Sequence, residues 1–144
     1  MQISQVLRHK GREVATIDGS ESVRTALAVL AERGIGALVV SADGRRIDGM
    51  MSERDIARGL HERGAALLTD AVTSVMTAEV HTCTPHANVT DLAQTMTDHR
   101  VRHVPVVDDG GALIGIVSIG DVVKARLDEL EAERKQLVDY IQTP

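Results

Sequence analysis

The chain has no phenylalanine and no tryptophan, a single tyrosine, a single cysteine and three prolines. Without Phe or Trp there are no stacking platforms for single-stranded nucleic acid, and a net charge of −5 provides no basic field for phosphate backbones. Nucleic acid is therefore not an expected partner. One cysteine, Cys83, excludes an internal disulfide framework and suits a reducing compartment. No stretch approaches the roughly 18 to 20 apolar residues of a membrane span. Met1 to Gln5 lacks the basic and apolar blocks of a signal peptide, so no membrane role and a cytoplasmic location are expected. The scarcity of rings also bears on small ligands: a planar base would have to lie between aliphatic side chains.

What the chain does have is a repeat. Gly49-Met50-Met51-Ser52-Glu53-Arg54-Asp55 returns sixty-six residues later as Gly115-Ile116-Val117-Ser118-Ile119-Gly120-Asp121, and Val6/Val72, Thr16/Thr82, Val23/Val89 and Val40/Val106 keep the same offset. The period is too long and the copies too few for a solenoid. With 144 residues and 43% hydrophobic composition, two half-chains sharing a core or a large interface are expected.

Each half reads as β-α-β-β-α. In the first, Glu13–Ile17 is a strand, and Val23, Ala26, Leu27, Leu30 and Ala31 form one helical stripe. Ala37–Val40 reads as a buried strand, Asp43-Gly44 as a hairpin turn, 47–51 as the return strand and Ser52 as the start of a helix to about Arg63. In the second, the corresponding elements are Val80–Thr84, a helix capped by Asn88, His103–Val107, 113–117 and a helix opened by Ser118. The fold class is α+β, with two lobes about an approximate twofold axis. Repeat 1 spans 1–63, a linker 64–71, repeat 2 72–126 and a C-terminal helix extension 127–144. In that extension Leu127, Leu130, Leu137 and Ile141 recur at heptad-like spacing, interrupted by Arg134. The stripe is expected to pack back on the module, with dimerisation as the alternative.

The doubled Gly-x-x-Ser-x-x-Asp has two readings. Ser-x-x-Asp before a helix is a capping box, in which Ser52/Asp55 and Ser118/Asp121 merely start helices. A helix N-terminus also offers free amide donors to a phosphate, and an acidic residue there can accept from ribose hydroxyls. Beside the second copy lies Val101-Arg102-His103-Val104-Pro105-Val106, where Pro105 cannot donate to a ladder and leaves backbone groups free to read a base. The first copy has no such proline.

These features together resemble a tandem pair of cystathionine-β-synthase-type (CBS) domains, the regulatory Bateman module. The marks are Val75-Met76-Thr77, Thr82-Cys83-Thr84-Pro85, Arg102-His103-Val104-Pro105-Val106 and the two Gly-x-x-Ser-x-x-Asp endings. The resemblance implies clefts that bind adenosine-containing ligands, and frequent pairing of modules, so a homodimer is expected. By position it implies Ser118 and Asp121 on ribose and phosphate in a second site, with Thr82, His103, Val104 and Pro105 near base or sugar. It implies Ser52, Asp55 and Thr16 likewise in a first site, with Ala37 and Leu38 along the base. Arg54 either clamps a phosphate or pairs with a neighbouring carboxylate. Gly120 in its place makes the two sites unequal. The function so implied is a sensor that binds AMP, ADP or ATP and signals to an unidentified protein, with no required cofactor; NAD or S-adenosylmethionine is the alternative ligand.

Two other classes compete. His81-x-Cys83-x-x-His86 could hold zinc through imidazole and thiolate, although the spacing is nonstandard. An enzyme would need a nucleophile with an orienting partner, and none is evident around His103 and Asp121, so no catalysis is expected.

Overall fold

The computed structural model describes residues 1–143 and has two α+β lobes of the same plan, related by an approximate twofold axis, with an extended C-terminal helix. In the first lobe, β1 (Thr16–Ile17) runs parallel to β2 (Ala37–Val40), which pairs antiparallel with β3 (Gly49–Ser52). In the second, β4 (His103–Val107) and β5 (Leu113–Ser118) form an antiparallel pair. The helices are α1 (Ile3–Lys10), α2 (Val23–Arg33), α3 (Glu53–Arg63), α4 (Val89–His99) and α5 (Ile119–Gln142). Among the described residues, no helix is long and apolar enough to cross a membrane.

Local chemistry explains the matching helices. Ser22 caps α2 by accepting from Thr25 N, and Asn88 caps α4 by accepting from Thr90 N. Val23, Ala26 and Leu30 bury one face of α2, and Val89, Leu92 and Met96 the same face of α4. Ala31, expected on the α2 stripe, is exposed at its edge.

Each repeat lends its opening segment to the core of the other. Ile3, Val6 and Leu7 of α1 pack with Val89, Met96, Val104 and Val117 of the second lobe. Their counterparts around Val72, together with Leu67, pack with Val23, Leu38 and Met51 of the first. The stretch read as a linker, 64–71, thus holds a 3-10 turn, Gly64–Thr69, with Leu67 fully buried, and a second such turn, Val72–Ser74, with Val72 fully buried, opens the next repeat. The exchange explains the glycine of the repeated motif. A Cβ on Gly49 would sit 2.8 Å from Thr77 O, and one on Gly115 2.9 Å from Leu7 Cδ2, because the borrowed segments cross there.

Two expectations are corrected. Val80–Thr84 is not a strand but a single parallel bridge between Cys83 and Val106. In the first lobe Val39 N donates to Ala15 O, extending β1 along β2. The equivalent donor in the second lobe is Pro105, which has no N–H, so the pairing is confined to the two bonds of Cys83, from its N to Pro105 O and from Val107 N to its O. The second correction concerns α5. Its first turns pack through Val122 and Ala125, but Leu127, Leu137 and Ile141 are 61–78% exposed, so the outer stripe does not fold back on the module. The final expected residue, Pro144, lies outside the described residues.

Candidate functional site

Both Ser-x-x-Asp copies form complete capping boxes. Asp55 N donates to Ser52 Oγ while Asp55 Oδ2 accepts from Ser52 N at 2.8 Å, and Asp121 and Ser118 repeat this geometry. The capping reading is therefore realised in each repeat. It does not exhaust the carboxylates, since an ionised Asp offers about four acceptor positions.

The two copies differ in what completes them. Asp55 Oδ1 accepts from Thr77 Oγ1 at 3.2 Å, on the segment borrowed from the second repeat. Asp121 Oδ2 is instead held by Lys10 Nζ of α1 at 2.5 Å, and Lys10 also donates to Ile116 O at 2.8 Å. Burial opposes the charge of Asp121, yet the contacts from Lys10 and Ser118 hold its carboxyl below the usual range.

A cavity of about 650 Å³ opens between the lobes on the Asp55 side. Of the residues expected to bind, it gathers Ala37, Ser52, Arg54, Asp55 and, from the second lobe, His103. Thr16 lies on β1 and Thr82 in irregular chain beside Cys83; neither lines the cavity, nor do Ser118 and Asp121. Leu38, Val104 and Pro105, expected along or near the base, are buried in the lobes and do not line this cavity.

Sequence reasoning missed the opposite wall. Thr77, Glu79 and His81 come from the segment crossing out of the first lobe, and Arg100 and Arg102 from the turn between α4 and β4. The wall was readable only by placing the cap of one repeat against the opening of the other. With Arg54 and Arg58 of α3, four guanidinium groups border one cavity, and none makes an ion pair among the described residues. Arg54, left open between phosphate clamp and ion pair, has no carboxylate partner here.

His103 bridges the lobes, since a Cβ on Gly36 of the first repeat would meet its Cε1 at 3.6 Å. Burial, aided by Lys10 and Arg102, depresses its pKa, with Asp121 and Glu53 opposing. The neutral imidazole so favoured is able both to donate and to accept. A histidine whose folded pKa lies below its unfolded value stabilises the fold above the unfolded value, near 6.5, and this is lost as pH falls through the folded one. Thermal melts of His103→Gln are accordingly expected to fall less between pH 7 and pH 5 than those of wild type; an unchanged slope would exclude His103 as the source.

The zinc reading finds no geometry. Among the described residues no three His, Cys, Asp or Glu side chains come together as a metal site. His81 stacks on His99 with centroids 4.2 Å apart, and burial pushes the Cys83 thiol up to about 11, away from the thiolate that zinc requires.

A model of the CBS domain matches residues 4–62 and 72–128, which covers both lobes. The chain belongs to the CBS-domain family. It is 38% identical over 97% of its length to the mitochondrial CBS domain-containing protein CBSX3 of Arabidopsis thaliana, covering 71% of that protein. Among solved structures, a CBS-domain-containing protein from Agrobacterium tumefaciens is 41% identical, with a TM-score of 0.83 over 88% of this chain and 99% of that one. A CBS domain protein from Pyrobaculum aerophilum, 28% identical with a TM-score of 0.74 over 84% of this chain and 89% of that one, was solved in complex with AMP.

Proposed function

We propose that this CBS pair binds an adenine nucleotide in the cavity between its lobes, one per chain, and acts by binding and not by catalysis. The observation that carries the reading is the meeting, in one cavity, of the Ser52/Asp55 cap with unpaired arginines from both lobes. The cap and Thr77 supply hydroxyl and carboxylate groups suited to a ribose, and the guanidinium groups suit its phosphates. Ala37, Met50, Val80 and Val101 provide the aliphatic surface on which a base would lie in a chain without Phe or Trp. The volume lies within the roughly 300–1,000 Å³ of small-molecule sites. The AMP complex of the Pyrobaculum aerophilum relative supports the ligand class.

A ligand touching both lobes favours whichever lobe arrangement it binds better, and a protein partner reads that arrangement. The exposed outer stripe of α5 provides a surface for a second copy of the chain, in keeping with a homodimer.

The test is calorimetry and thermal shift with AMP, ADP, ATP, NAD, S-adenosylmethionine and GTP. At one hundred times its dissociation constant a single ligand raises stability by about 2.7 kcal/mol. Asp55→Asn is expected to weaken the adenosine ligand about ten-fold or more, the value of a hydrogen bond to a charged group. Binding of GTP alone, or of no adenosine compound, refutes the proposal.

A further inference from the structure

The helices α2 and α4 end in the same left-handed turn with different residues: Gly34 at φ 62° and Arg100 at φ 54°. Arg100 is the one non-glycine with positive φ among the described residues. An L side chain is disfavoured in that region, and strain of this kind gathers at functional sites. The cap itself does not require an arginine, because glycine closes the same turn in the first repeat. What Arg100 adds is a side chain on the cavity wall.

The pattern extends beyond one position. The repeat offset pairs Arg54, Arg100 and Arg102 of the cavity wall with Gly120, Gly34 and Gly36. At three positions of that wall the repeat partner of an arginine is thus a glycine. The same three arginines, with Met96, Thr97 and Ile119, also line a second, open basin of about 510 Å³, so the two spaces share a basic wall.

Resting on the nucleotide reading above, we propose that the first cleft selects adenine nucleotides with two or three phosphates over AMP, and that Arg100 is a specificity residue for the distal phosphates. The nucleoside lies at Ser52 and Asp55, and the phosphate chain runs past Arg54 toward Arg100 and Arg102. A monophosphate next to the ribose leaves the farther guanidinium groups unused, whereas a longer polyanion engages them.

The test is calorimetric titration of the full chain with AMP, ADP and ATP. Wild type is expected to bind ATP about ten-fold tighter than AMP, the worth of one charge-assisted contact. Arg100→Gly installs the residue the first repeat uses, so the melting temperature is expected to rise by about 3 °C as strain is relieved. In that variant ATP should fall to near the AMP affinity while AMP stays within about two-fold, since only the distal contact is removed. Loss of ATP binding in a protein that melts higher cannot be ascribed to misfolding. Equal affinity of wild type for AMP and ATP, or a proportionate loss of both in Arg100→Gly, overturns the selection and leaves the nucleotide reading intact. Absence of binding by all three overturns both.

Discussion

Replacing Leu67 with alanine is expected to cost about 2–5 kcal/mol, the range for a buried leucine whose site cannot fully collapse. Leu67 lies between the repeats, where a linker would tolerate the change, yet it is fully buried in the core of the first lobe. Its contacts are close: a Cβ on Gly59 would meet Leu67 Cδ2 at 2.8 Å, and Val75 lies on the same side. Against a typical total of about 5–15 kcal/mol, the loss is a large share of the stability. Urea unfolding checks it, with Leu68→Ala, only partly buried, as the comparison of smaller effect. A cost for Leu67→Ala no greater than that for Leu68→Ala would show that the segment is not part of the core.

That segment marks where sequence reasoning stops. The α2 and α4 stripes were legible because an 11-residue helix repeats its apolar positions often enough to reveal a period, and Asn88 was legible as a cap, whereas the equivalent cap Ser22 was not read. Gly64–Thr69 and Val72–Ser74 are 3-10 turns, too short to show one. Ile3, Val6 and Leu7 did carry helical spacing, but nothing local says that α1 serves the second lobe. The match of Val6 with Val72 disclosed the duplication without disclosing that each packs in the other copy's core. The lost strand at Val80–Thr84 could have been inferred, since Pro105 withholds the donor that Val39 supplies. The cleft divides in the same way. Ser52 and Asp55 were visible as a motif, whereas Arg100 and Arg102 join them only through the exchange of segments, which is a property of the packed pair.

The Lys10→Met variant is expected to raise the number of adenine nucleotides bound per chain from one to two. Asp121 has the same backbone setting as Asp55, down to the Ser118 cap, and what distinguishes it is the ammonium of Lys10 on its Oδ2. The first cleft has a neutral hydroxyl, Thr77, in the corresponding role, which leaves the carboxylate of Asp55 free to accept from a ribose. Lys10 instead satisfies Asp121 with a charge-assisted bond and anchors itself a second time on Ile116 O, so a nucleoside must displace both contacts. Methionine keeps the length and apolar stem of the side chain and removes the charge. Acid sensitivity supplies an independent readout. A carboxyl held below its ordinary value stabilises the fold above that value, 3.8 for Asp, and the contribution is lost as pH falls through the lower folded one. Lys10→Met should therefore lose less stability than wild type between pH 5 and pH 3. AMP is the appropriate probe for stoichiometry, because the second copy of the motif has Gly120 where the first has Arg54 and so offers no guanidinium there to a longer phosphate chain. A count that stays at one while the acid sensitivity falls as expected would make Lys10 a structural partner of Asp121 and not a stopper of its cleft.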